Sequence, residues 1–154
     1  MEHPSCQVDF YHLTNSDLCS NIALLSDKIV GLNKTAIILC AEVMADPISA
    51  ALWETVADNF LAHGVGENRV NPNAPLGLVH EPDANPINAD FILITGGLEV
   101  SDISKFERVF MVFDGTSEFE VSSARQKWKH WSQHDNVACR YFSQDEAGKW
   151  SQKA

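Results

Sequence analysis

At 154 residues and 45% apolar, the chain fits one domain with a buried core, and its longest apolar runs, as at residues 109–113, are far short of a membrane span. Its 11 basic side chains face 21 acidic ones, for a net charge of −10. A surface of that sign repels phosphate, so any tie to nucleic acid is expected to be indirect or confined to a local basic patch.

At the N-terminus, Met-Glu-His-Pro-Ser-Cys-Gln has neither the basic nor the apolar region of a signal peptide, so a cytoplasmic protein is expected. Residues 8–13 alternate and are rich in β-formers, which predicts a first strand. Asp17 then offers an N-cap, and Leu18, Ile22, Leu25, Ile29 and Leu32 recur at helical spacing until Gly31 and Asn33 punctuate the helix. Residues 35–40 are a continuous apolar run of strand length, as a parallel strand covered on both faces requires. Asp46-Pro47 reads as an N-cap followed by proline at the first helical position, opening a helix that carries Ile48, Leu52, Trp53, Val56 and Phe60.

From 64 to 90, Gly64, Gly66, Pro72, Pro75, Gly77, Pro82 and Pro86 predict loop, with a short strand near residues 78–80. Residues 91–95 form another buried strand ended by Gly96-Gly97, and residues 106–113 a further one stopped by Asp114-Gly115. A helix is expected from 118 to about 134, a closing strand over 137–143, and an exposed tail over 145–154 on which Trp150 docks. Strands alternating with helices give an α/β fold, a three-layer Rossmann-like domain with a mostly parallel central sheet, in a single domain over residues 1–154.

Such a sheet commonly binds ligands at the carboxyl ends of its strands. The nucleotide signatures are nevertheless incomplete. Gly64-Val-Gly66-Glu-Asn-Arg69 follows a helix and has arginine where a dinucleotide fingerprint has its third glycine. Gly96-Gly97 follows a strand but lacks the lysine and hydroxyl of a P-loop, so a turn glycine pair is the simpler reading. No GxSxG, HExxH or CxxC stands in the chain. Cys6, Cys19, Cys40 and Cys139 read as structural thiols in a reducing compartment. His130 and His134 share a helical face without a third ligand nearby in sequence. No metal and no cofactor are expected.

The informative stretch is the last helix. Val121, Ala124, Trp128 and Trp131 make a narrow apolar stripe, and Arg125 and Lys129 lie four residues apart along its edge. No acidic residue falls between Glu120 and Asp135, so this window carries +3 in a chain of −10. Two readings fit. One is a solvated face whose tryptophans cap the core and whose cations meet the helix dipole. The other is a site for an acidic peptide with an aromatic end, in which Arg125 clamps a carboxylate, Lys129 adds a point charge and Trp128 gives an apolar wall.

Ser-Ala-Arg125-Gln-Lys-Trp128-Lys129 resembles the Ala-Arg-x-x-(Tyr/Trp)-Lys signature in the last helix of the chi subunit of the bacterial DNA polymerase III clamp loader. The resemblance extends over nearly the whole chain. It takes in Phe10-Tyr11-x-Leu13, Ala51-Leu52-Trp53 with Phe60 and His63 beyond, Val112-Phe113-Asp114-Gly115, and the ending Gln144-Asp-Glu-Ala-Gly148-Lys-Trp150. It implies a Rossmann-like fold with no nucleotide and no activity of its own. It also implies an adaptor that joins the small clamp-loader subunit psi on one surface. On another it holds the C-terminal peptide of single-stranded-DNA-binding protein (SSB), which is acidic and ends in Pro-Phe. Contact with single-stranded DNA is then indirect. The resemblance places Arg125, Trp128 and Lys129 at the SSB tail, with Trp53 and Phe60 similar to the apolar side of that pocket. Two departures stand out: the lysine that some members carry four residues before Arg125 is Val121 here, and some have tyrosine where Trp128 stands. The readings it displaces are a small nucleotide-binding enzyme using the glycine turns at the strand ends, and a direct single-strand binder stacking bases on Trp128 and Trp131.

Overall fold

The computed structural model describes residues 6–14, 17–54, 63–65, 75–85, 87–145 and 147–154. Among the described residues eight strands form one sheet: β1 (Cys6–Leu13), β2 (Ala36–Leu39), β3 (His63–Val65), β4 (Leu76–Val79), β5 (Phe91–Thr95), β6 (Arg108–Asp114), β7 (Val137–Gln144) and β8 (Trp150–Gln152). Their spatial order is β3-β4-β2-β5-β6-β1-β7-β8, with all neighbours parallel except β7 and β8. Helices α1 (Leu18–Gly31), α2 (Ala45–Glu54) and α3 (Glu118–Trp131) cover its two faces, which makes the domain a three-layer, mostly parallel, Rossmann-like α/β fold.

Side-chain alternation along the strands separates the two cores. Ile22 and Ile29 of α1 and Ile48 and Leu52 of α2 pack on Ile38, Leu78, Leu93, Phe110 and Val112. On the other face Ala124 and Trp131 of α3 pack with Val8, Phe10, Ile37, Leu39, Ile92, Val109, Met111 and Phe113. Because both faces of β2 and β5 are covered, every residue of Ala36–Leu39 and Phe91–Thr95 is buried, and the unbroken apolar runs follow from that.

Local chemistry sets the ends of these elements. The Asp17 carboxylate caps α1 by accepting from the Ser20 backbone N–H at 3.1 Å. Past the helix, Asn33 takes φ +60°, a left-handed C-terminal residue. α2 begins at Ala45, one residue before the expected Asp46 cap, because a short 3-10 turn over Glu42–Met44 runs directly into it. Pro47 is still tolerated there, since backbone N–H groups in the first turn have no intrahelical acceptor.

The glycine pair after β5 is a turn: Gly96 and Gly97 have φ of +64° and +73°. A Cβ on Gly97 would also stand 2.9 Å from the Phe119 ring.

Two further differences concern the ends of the sheet. The short strand expected near 78–80 lies at Leu76–Val79, and β3 adds a strand beyond it. The last residues are a hairpin and not a loose tail: the Asp145 carboxylate accepts from the Ala147 and Lys149 N–H groups, each at 2.9 Å, and β8 returns along β7. Trp150 docks edge-on to Tyr11, with ring centroids 5.1 Å apart.

Candidate functional site

α3 is held firmly at its start. The Ser117 hydroxyl accepts from the Glu120 N–H at 3.2 Å, and the Glu120 carboxylate accepts from the Asp114 N–H at 3.3 Å. This is a variant of the capping box, and Ser117-x-x-Glu120 was its legible signal. Ala124, Lys127 and Trp131 are buried against the sheet, which leaves the helix two flanks of different character.

One flank faces β1 and β7. Trp128 lies edge-on to Phe10 at 5.3 Å and to Tyr141 at 6.1 Å. Phe10 and Tyr141 are register partners across the β1–β7 ladder, so parity alone puts them on the α3 side. Beyond them the His12 Nδ1 and the Tyr141 hydroxyl share a hydrogen bond of 2.6 Å. Burial, followed by the nearby Arg125 charge, holds the His12 pKa below its ordinary value. Burial raises the Tyr141 pKa, and Arg125 partly opposes that rise. Both rings are therefore neutral near pH 7, and Arg125 stands close enough to feel them. A Cβ on Gly115 would fall 2.1 Å from the His12 Nε2 and 2.7 Å from the Leu13 carbonyl oxygen, so this turn must be glycine.

The result is a half-buried indole on an aromatic floor, edged by two exposed cations. Arg125 and Lys129 stand one helical turn apart on this flank. Val121, one turn earlier, packs with the core. Chemically, the arrangement suits a carboxylate-bearing chain whose apolar part lies on Trp128. His12 and Tyr141 were not singled out from sequence; strand parity was the signal for both.

The other flank differs. Lys127, counted among the cations of the helix window, is 8% exposed, and its ammonium donates to the Ser123 hydroxyl at 2.6 Å and to Glu99 at 3.4 Å. Burial lowers its pKa. It adjoins a cavity of about 700 Å³ between α3 and the 99–104 loop. Glu99, Asp102 and Asp135 line that cavity, an unfavourable setting for an acidic ligand, so it is not the partner site that the α3 cations suggest. His130 and His134 also line it, with rings 4.9 Å apart. Among the described residues no group of three or more His, Cys, Asp or Glu side chains is placed to hold a metal ion.

Of the five sequence-predicted site residues, the fold brings Arg125, Trp128 and Lys129 together. Trp53 is 40% exposed on α2, which covers the opposite face of the sheet, so the sheet separates it from Trp128. Phe60 lies outside the described residues. The four cysteines are free thiols, and burial pushes those of Cys6, Cys40 and Cys139 up to about 11, which leaves them protonated and unreactive near neutrality. Among the described residues no helix is long and apolar enough to cross a membrane.

A comparison with curated proteins finds no match. A protein-family model described as DNA polymerase III chi subunit, HolC, matches residues 6–138. That span holds β1 to β6, helices α1, α2 and α3, and the whole Arg125–Trp128–Lys129 flank. With most of its length matched, the chain belongs to the chi-subunit family of DNA polymerase III.

Proposed function

We propose that this accessory subunit is a non-catalytic, cytoplasmic adaptor that holds the acidic C-terminal tail of SSB on the outer flank of α3. It thereby ties SSB, and indirectly single-stranded DNA, to the clamp loader through psi. The observation that carries this reading is the pairing of exposed Arg125 and Lys129 with half-buried Trp128 in a chain of net charge −10. Arginine binds a carboxylate through two parallel N–H donors, lysine adds an untethered charge, and the indole offers an apolar surface to a terminal phenyl ring. Trp53, on the far face, is not counted among the contacts. General repulsion of phosphate with one local basic strip favours a protein tail over the DNA that SSB already covers.

Titration of a fluorescent SSB tail peptide by anisotropy tests the reading, with oligo-dT in place of the peptide as the comparison. Saturable peptide binding with no oligo-dT binding is expected. Binding of oligo-dT in the absence of SSB, with none of the peptide, would overturn it.

A further inference from the structure

The aromatic floor beneath Trp128 contains a polar pair. His12 of β1 and Tyr141 of β7 are both half-buried, with the imidazole Nδ1 and the phenol oxygen 2.6 Å apart. Neighbouring rings hold them in place. Tyr141 stacks on Phe10 at 6.4 Å and lies edge-on to Trp128 at 6.1 Å, while His12 is 5.0 Å from Phe113. The other ring nitrogen of His12 packs on the Gly115 turn, where even a Cβ would stand 2.1 Å from it. The imidazole is thus wedged between that turn and the phenol.

Charged groups reach the pair from the elements packed around it. Arg125 of α3 opposes a proton on His12, after the larger effect of burial, and Asp114 at the end of β6 favours one. The Asp114 carboxylate is already engaged, accepting from the Thr116 N–H and hydroxyl at 2.8 and 2.7 Å. Glu120 of α3 is turned to the Asp114 N–H. From β7 comes the Tyr141 phenol, whose pKa is raised by burial. Arg125 is therefore the nearby charge that a bound carboxylate would neutralise.

A phenol has one proton to donate. In the free chain a neutral imidazole can accept it at Nδ1. If the phenol donates to a carboxylate instead, its oxygen is left to accept from an Nδ1–H of His12. The negative charge then seated on Arg125 cancels the repulsion that kept His12 neutral, and both effects favour a second proton on the ring.

We propose that the Tyr141 hydroxyl, held by His12, is a further contact for a carboxylate of the bound tail, and that His12 takes up one proton from solvent when this contact forms. The inference rests on the reading of the α3 flank as the tail site. Its consequence is a sign: affinity for the tail rises as pH falls through the range in which His12 titrates. The cations of arginine and lysine side chains carry no such dependence near neutrality.

The test is an anisotropy titration of the SSB tail peptide against the full chain, Tyr141→Phe and His12→Gln, at about pH 8 and about pH 5.5, where peptide carboxylates are still ionised. The wild type should bind at least about fivefold more tightly at the lower pH, within the limit of about tenfold per pH unit for one proton. In either variant the change should be under about twofold, and Tyr141→Phe, which keeps the ring, should bind about fivefold more weakly than the wild type at the lower pH. A slope retained in both variants would belong to other histidines, such as His130 and His134, and would overturn the proposal. Imidazole NMR of the wild type gives a second measurement that needs no variant. His12 should titrate at higher pH with the peptide bound than without it, and an unchanged titration overturns the proposal. Wild-type binding with no pH dependence also overturns it, while the adaptor reading survives. A wild type that does not bind the peptide at either pH overturns both.

Discussion

Replacing Asp9 with alanine removes a fully buried carboxylate from between two arginines on flanking strands. Burial alone would raise its pKa, but hydrogen bonds from Arg140, Gln7 and Arg108 outweigh that and hold it below the ordinary 3.8. Breaking a buried pair costs about 3–5 kcal/mol, because the partner charge is stranded. Here Arg108 and Arg140 are 28% and 38% exposed, so water takes up part of the loss. Discounting for that screening leaves a deficit of roughly 2 kcal/mol. For a chain of this size that is a fall in melting temperature of about 4–8 °C. The sign with pH follows from the lowered pKa. The stabilisation is fully present above the ordinary carboxylate value and fades as pH falls through the folded-state value, so the deficit should shrink in acid. Urea denaturation at about pH 7 and about pH 3 measures both quantities. A deficit under about 0.5 kcal/mol at neutral pH, or one unchanged in acid, would refute the reasoning.

Other outcomes follow from the same structure. Gly115→Ala, forced against His12 and the Leu13 carbonyl, should destabilise by about 1–3 kcal/mol in denaturant melts. Lys127→Met should change stability by less than about 1 kcal/mol, since its partner Glu99 is 77% exposed and rehydrates freely, and tail affinity should stay within about twofold. Deleting the terminal phenylalanine of the tail peptide should weaken binding by more than about 30-fold, the equivalent of roughly 2–3 kcal/mol of lost aromatic burial. Trp53→Ala, on the far layer, should leave the peptide affinity unchanged, whereas Trp128→Ala should reduce it.

Much of this arrangement is legible in the sequence. The apolar runs at β2 and β5 and the Asp17 cap announce themselves through local chemistry. The spacing of Arg125 and Lys129 places both on one helical flank whatever the helix packs on. Other features depend on what is distant in the chain. Helical periodicity tells which side of α2 meets a sheet, but not which face of the sheet it meets; the crossover decides that, and it separates Trp53 from Trp128. Lys127 carries the charge of an exposed residue, and only its place over the 99–104 loop buries it. Asp9, Arg108 and Arg140 come from three strands that meet through register, so no local pattern joins them. β3 and β8 are three-residue strands, too short for alternation to show.

The most direct test of the central claim is one anisotropy titration of the SSB tail peptide against three forms of the chain. These are the wild type, Arg125→Glu with Lys129→Glu, and Lys28→Glu with Lys34→Glu as the same charge change on the α1 side of the molecule. The wild type should bind, and more weakly as salt rises to physiological strength, because exposed ion pairs are screened over roughly 8–10 Å. The α3 variant should not bind at any salt, with a wild-type circular-dichroism spectrum, and the control pair should retain affinity. Normal binding by the folded α3 variant, or an equal loss in the control, would contradict the claim that this flank holds the tail.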